Sequence, residues 1–361
     1  MTPVNTAPVT ASAVGTSSPV AWLLDTWRLT RWYLFAAWRR VMSKVLLGIL
    51  LGLFVLITGF IVLGFVVTQN SSTVARDCQP VPAATRQAGD NGSGGQVVCE
   101  PLSAQQQQQI RDQRADSIRA PLTFPGSLQF AGGYTTFMGV ILLAILAGAM
   151  IGSEFGQGTI RLALSRGVGR AQALTAQAAA LAVLALGIGL GMLLLGALIG
   201  VTIGPALGAT LSALPAGGVG ALLAYWLAVS LYLFAFAAIA FFLATLARST
   251  AAGIAGPLGY LIFELIAIGV LSIVALAIQG DTGDFLRHVP DWFLGQNLGA
   301  LTTAAFQPLA AAVPTIRGGA TGGGNGGQTI GTMHALLVSL AYCALLVGST
   351  YFIMRRRDVT D

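Results

Sequence analysis

Few side chains in this sequence are placed to do chemistry, and the most telling of them is solitary. Lys44 is the only lysine, and Val41, Met42 and Ser43 precede it, so a phosphate-binding loop of the form G-x-x-x-x-G-K-S/T occurs nowhere in these residues. That loop needs its lysine to reach the terminal phosphates of ATP; nucleotide hydrolysis, if it drives this protein, belongs to another chain. His288 and His334 lie far apart, and neither has a cysteine or glutamate at metal-ligand spacing, which predicts no zinc site. With no G-x-S-x-G or H-E-x-x-H run either, the sequence reads as a non-enzyme that carries no cofactor of its own.

Two acidic positions remain. Glu264 is the one carboxylate midway along an apolar stretch, where an ionisable group is costly and is by default a functional hypothesis. Tyr260, one turn earlier, shares its face. Two readings stay open: a structural carboxyl satisfied between helices, or a residue that lines a substrate path or relays protons. Glu154 opens the run Glu-Phe-Gly-Gln-Gly-Thr-Ile-Arg-Leu-Ala-Leu-Ser-Arg-Gly-Val-Gly-Arg, which closes at Arg170. Arg161, Arg166 and Arg170 suit anionic headgroups or an acidic partner groove, while Ile160, Leu162 and Leu164 supply apolar matter to bury. A generic basic loop would explain the arginines but not the rest.

The elements that must position these residues are membrane helices. Of 361 residues, 55% are apolar and 9% charged, against about 25% charged in an ordinary soluble domain. The apolar residues gather into six segments, at about 45–67, 134–152, 172–203, 219–246, 251–279 and 332–354, each long enough to cross a hydrocarbon core. The third is long enough to tilt or protrude. Glycines recur four apart, as in Gly48 and Gly52, Gly187 and Gly191, and Gly196 and Gly200, a pattern that favours close helix packing in lipid.

Residues 1–20 read as a disordered tail without a signal peptide. Four of the six tryptophans fall between Trp22 and Met42, interleaved with arginines. Leu23, Trp27, Leu34, Trp38 and Val41 recur at near-helical spacing, so residues 21–44 read as a helix lying along the bilayer surface and feeding the first span.

The net charge of +6 reads as topology rather than nucleic-acid binding. One side of the six spans collects twelve lysines and arginines and the other seven, the latter diluted by eight acids in two long segments. The first side is therefore expected to be cytoplasmic, with both termini inside a multi-pass plasma-membrane protein. Residues 68–133 and 280–331 then lie outside. The first carries Cys78 and Cys99, and an oxidising exterior favours a disulfide between them over two unpaired thiols; Cys343, inside the last span, reads as a packing residue. The second begins with an apolar and charged mixture around Phe285 to Leu294 that suits a short helix dipping into the outer interface. Trp292 there reads as an anchor, and Gly318 to Gly327 as a flexible linker.

The run at 154–170 resembles the ABC-2 type permeases, the membrane subunits of ABC exporters. Their pattern is an acidic residue, then Gly-Thr-x-Arg, then a Leu-rich stretch closing on a small residue or Pro, Val, one further residue and Arg. The match lies at Glu154, Gly158, Thr159, Arg161, Leu162, Leu164, Val168 and Arg170, with a departure at Gly167, where many members have Pro. The resemblance implies an all-α membrane fold with six transmembrane helices, an N-terminal interfacial helix and a domain spanning residues 45–361.

It also implies that Glu154, Gly158, Thr159, Arg161, Arg166 and Arg170 belong to a coupling segment, at 153–171, seated on a cytoplasmic ATPase subunit. That partner would carry the ATP and Mg. A second permease, the same or a similar chain, and membrane lipid complete the expected partners, with no nucleic acid. The competing readings are a non-transporting membrane scaffold that uses the same segment, and a secondary transporter using Glu264.

Overall fold

The computed structural model describes residues 19–70, 76–80, 97–101, 103–156, 169–208, 214–215, 217–278, 280–310 and 330–356. The protein is nearly all helical. Helix α1 spans Pro19–Arg39, and after a one-residue break α2 runs Val41–Asn70. A short antiparallel ribbon, β1 Arg76–Pro80 with β2 Val97–Pro101, and the polar helix α3 Ala104–Arg119 follow. Then come α4 Gly126–Tyr134, a π turn at Thr135–Gly139, α5 Val140–Gly156, α6 Arg170–Ala206, α7 Gly218–Ala247 and α8 Thr250–Ala277. After α8 the chain forms α9 Asp281–His288, a 3-10 turn Val289–Trp292, α10 Leu294–Ala310 and α11 Thr332–Arg356.

Six of these stretches are long and apolar enough to cross a membrane: Val41–Val67, Gly126–Glu154, Arg170–Ala206, Gly218–Ala247, Thr250–Ala277 and Thr332–Arg356. The apolar segments expected at 45–67, 134–152, 172–203, 219–246, 251–279 and 332–354 each overlap one of these six helical stretches. The largest shift is in the second, which α4 extends by eight residues at its start. A π turn joins α4 to α5 without ending the span, and buried Thr135 donates to the Ala131 carbonyl there. The third span has 37 residues, about 55 Å of helix at 1.5 Å per residue, well beyond a hydrocarbon core of about 30 Å. The expected tail before Pro19 and the glycine-rich linker lie outside the described residues.

Helix α7 is the centre of the bundle, packed against α5, α6, α8, α10 and α11. Its sequence explains why: Ala235, Ala237, Ala238, Ala240 and Ala244 are all buried, and small side chains let neighbouring backbones approach closely where lipid supplies no hydrophobic drive. Phe236 and Phe241 fill the space left between them. By contrast α2 and α8 expose broad apolar faces, including Val55, Phe60 and Leu63 on one and Ile262, Leu265 and Ile273 on the other. Such faces are ordinary where the solvent is hydrocarbon.

A close helix crossing joins the second and fifth spans. A Cβ on Gly148 would lie 2.9 Å from the Ile254 nitrogen, and one on Gly253 would lie 2.8 Å from the Gly148 Cα, so the two backbones meet with no room for a side chain. Of the sequence's glycine pairs, Gly196 and Gly200 pack against Ser127 in α4, whereas Gly48, Gly52, Gly187 and Gly191 face open space.

Helix α1 lies against α6 through its threonine-bearing face. Thr26, Thr30, Tyr33 and Ala37 are buried, while Leu23, Trp27, Trp38 and Val41 are exposed. The large apolar residues that set the helical spacing thus point away from the protein. Leu34 alone of that set packs on the core.

Candidate functional site

At one end of the bundle, three helices converge on a single polar cluster. Glu154 stands at the last turn of the second span, and Gln177 lies about two turns into the third. The Gln177 amide donates to Glu154 Oε2 at 2.6 Å, a distance typical of a bond strengthened by a charged acceptor. The same amide nitrogen donates to the Tyr33 hydroxyl of α1 at 3.4 Å, so Gln177 bridges the carboxylate and the phenol. Each member of this triangle comes from a different helix.

The surroundings are largely dry. Gln177 and Tyr33 are buried, and Glu154 is half-buried. Burial and, next, the adjacent Glu154 charge raise the Tyr33 pKa, which keeps the phenol protonated and able to donate. Arg40, at the break between α1 and α2, reaches across to the second span: Nη1 donates to the Ala149 carbonyl at 3.3 Å and to Ser153 Oγ at 3.4 Å. Thr30 Oγ1 adds a contact at 3.4 Å to the Ala176 carbonyl.

Of the residues expected in the coupling segment, Glu154 and Arg170 lie at the helix ends that flank it, with Arg170 beginning α6. Gly158, Thr159, Arg161 and Arg166 lie outside the described residues. Gln177 and Tyr33 escaped sequence reading because nothing in their spacing ties them to Glu154. Their signal was only polarity: a glutamine inside an apolar span and a tyrosine on the threonine face of α1.

Glu264 belongs to a second polar assembly, about 21 Å of helix from the start of α8 and so near mid-span. After α8 the chain turns back: α9 runs beside α8, and the tip at Trp292–Leu294 returns to the level of Tyr260 and Glu264. Residues 281–310 thus form a re-entrant hairpin, and the short helix expected around Phe285 to Leu294 falls on its descending limb. Glu264 Oε2 accepts from the Gly295 N–H at 3.0 Å and Oε1 from the Gln296 N–H at 2.8 Å, while the Leu294 N–H donates to the Tyr260 hydroxyl at 3.0 Å. The carboxylate therefore caps α10.

Span six and the hairpin itself complete the tip. The Tyr342 hydroxyl donates to the Trp292 carbonyl at 3.2 Å, and His334 Nε2 lies 3.2 Å from the Asp291 carbonyl. Asn297 Nδ2 donates to the carbonyls of Asp291 and Phe293. Non-helical backbone survives at membrane depth only when its polar groups are satisfied in this way. Trp292 remains exposed, with its ring edge-on to His334. Of the two readings of Glu264, the geometry favours a carboxyl satisfied between helices.

Cys78 and Cys99 are direct partners in the ribbon register. Cys343 is buried in the last span, as a packing residue would be. Among the described residues no group of three or more His, Cys, Asp or Glu could hold a metal ion.

A helix packed at the base of six apolar spans, with a polar cluster at the mouth of the loop between spans two and three, is the architecture of a multi-pass membrane protein. Residues 38–359 match the family model described as ABC-2 family transporter protein, and the chain belongs to that family. No curated protein matches it closely enough to suggest a substrate.

Proposed function

We infer that this chain is the permease subunit of an ATP-driven exporter of the plasma membrane. The observation that carries the reading is family membership over residues 38–359 in a sequence whose single lysine rules out a P-loop of its own. A transporter of this family therefore takes its energy from a separate ATPase subunit, which holds the ATP and Mg. Residues 154–170 are the coupling segment: Glu154 and Arg170 flank it, and Gly158, Thr159, Arg161 and Arg166 lie within it.

Two ATPase subunits closing on ATP need two membrane halves, so a second permease, identical or similar, completes the transporter with the substrate path between them. ATP-driven closure moves the spans only insofar as it binds one arrangement of them better than another. The positive-inside count supports an orientation with the arginine-rich end and both termini in the cytoplasm.

The test is co-purification from the native membrane. A P-loop ATPase subunit is expected to accompany the wild-type chain and to be lost when Arg161→Glu and Arg166→Glu are combined. Retention of the ATPase by that double variant, or no ATPase with the wild type, would overturn the reading.

A further inference from the structure

We propose that Glu154 is a positioning residue rather than a contact for the ATPase. Its carboxylate staples the two ends of the coupling segment to each other and to α1, so that a displacement of the segment is passed to α1. The proposal rests on the permease reading for the source of that displacement, but not for the staple itself.

Three observations carry it. First, one side chain ties three helices together: the Gln177 amide nitrogen of α6 donates to the Glu154 carboxylate of α5 at 2.6 Å and to the Tyr33 hydroxyl of α1 at 3.4 Å. Second, Gln177 lies seven residues inside α6. The first two turns of α6, about 10 Å, therefore extend past the level of Glu154, and without a tie there the end of the second span and this protruding stem could splay apart. Third, the chain is joined to the same corner at two points along α1 and once just beyond its end: Thr30 to Ala176, Tyr33 to Gln177, and then Arg40 to Ala149 and Ser153. Because α1 runs into α2 after one residue, a push on α1 also reaches the first span.

A glutamine is the natural partner in this triangle. Its NH2 donates to the carboxylate and the phenol at once, a geometry that a second carboxylate cannot supply. Gln177→Glu sets two acceptors face to face, whereas Glu154→Gln combined with Gln177→Glu restores one donor and one charged acceptor with the direction reversed.

The experiment is hydrogen exchange on the detergent-purified permease, alone and with its ATPase, with and without a non-hydrolysable ATP analogue. In the permease alone, the amides of α1 around residues 26–37 are expected to exchange about tenfold faster in Gln177→Glu than in the wild type, as loss of a charged hydrogen bond predicts, and the exchanged pair is expected to restore slow exchange. In the complex, the analogue should alter exchange in both the coupling segment and α1 of the wild type. In Gln177→Glu it should alter the segment alone, with the ATPase still bound, and the exchanged pair should regain the α1 response. Equal α1 exchange in all variants would overturn the staple. An α1 response that persists in Gln177→Glu, or that is missing from the wild-type complex, would overturn its transmitting role. If the wild type binds no ATPase, the permease reading fails by itself, and the measurements on the permease alone still decide the staple.

Discussion

A carboxylate whose two oxygens each accept a separate backbone N–H is hard to replace at Glu264. Glutamine keeps one acceptor and turns the other into a donor facing a donor, and alanine leaves both buried N–H groups without a partner. The Glu264→Gln variant is expected to lose about 1–2 kcal/mol and Glu264→Ala about 3 kcal/mol or more, given the cost of orphaned buried donors. Thermal unfolding in detergent, followed by tryptophan fluorescence, checks the order; equal losses in the two variants would show that the one acceptor glutamine retains contributes nothing. Gly295→Ala probes the same contact from the other side, because its Cβ would lie 2.7 Å from both carboxylate oxygens, and a loss of stability as large as that of Glu264→Gln is expected. Sequence pointed to Glu264 as unusual and to Tyr260 as its neighbour. It could not show the cap, because the capped amides at Gly295 and Gln296 lie some thirty residues away and carry no side-chain signature.

The same limit governs the elements. Glycine spacing marks helices able to pack closely, but any one helix has several faces, and the spacing does not say which face meets a neighbour. Gly196 and Gly200 pack within the chain, while Gly48 and Gly52 show the same four-residue interval and meet nothing within 4 Å. The close crossing through Gly148, Gly152 and Gly253 is set by the path of α8. Gly148→Leu is therefore expected to abolish a monodisperse peak in size-exclusion chromatography, and Gly52→Ala to leave it unchanged; a well-behaved Gly148→Leu protein would contradict this crossing.

The ribbon makes a covalent prediction. Directly opposed residues in antiparallel strands have Cα atoms about 4.5–5.5 Å apart, inside the 4.4–6.8 Å range of disulfides. Cys78 and Cys99 hold that relation, so peptide mapping of protein from the native membrane without reductant is expected to recover their two peptides linked. Recovery of both as free thiols would contradict the bridge.

At the scale of the whole molecule, what was legible is what lipid dictates. Each span must be long, apolar and helical, because its backbone has no water to bond, and those demands are written locally in the sequence. The re-entrant hairpin was not legible, since α9 and α10 have 8 and 17 residues and neither has the length and hydropathy of a span. Its place at membrane depth depends on Tyr260, Glu264, His334 and Tyr342, brought to it from spans five and six.

Which face of the bundle meets the cytoplasm is likewise a property of the whole, inferred from charge alone. It is tested with single cysteines introduced at Arg28→Cys, Arg355→Cys and Arg287→Cys, in a background with Cys78 and Cys99 changed to serine and buried Cys343 to alanine. Arg287→Cys, on the descending limb of the hairpin, is half-exposed or more, as is the Arg28 position on α1. A membrane-impermeant maleimide applied to intact cells should label Arg287→Cys at once and reach Arg28→Cys and Arg355→Cys only after permeabilisation. The opposite pattern would invert the positive-inside assignment. Labelling of Arg28→Cys and Arg355→Cys from different sides would break the even number of crossings, because six spans return the chain to the face from which it entered.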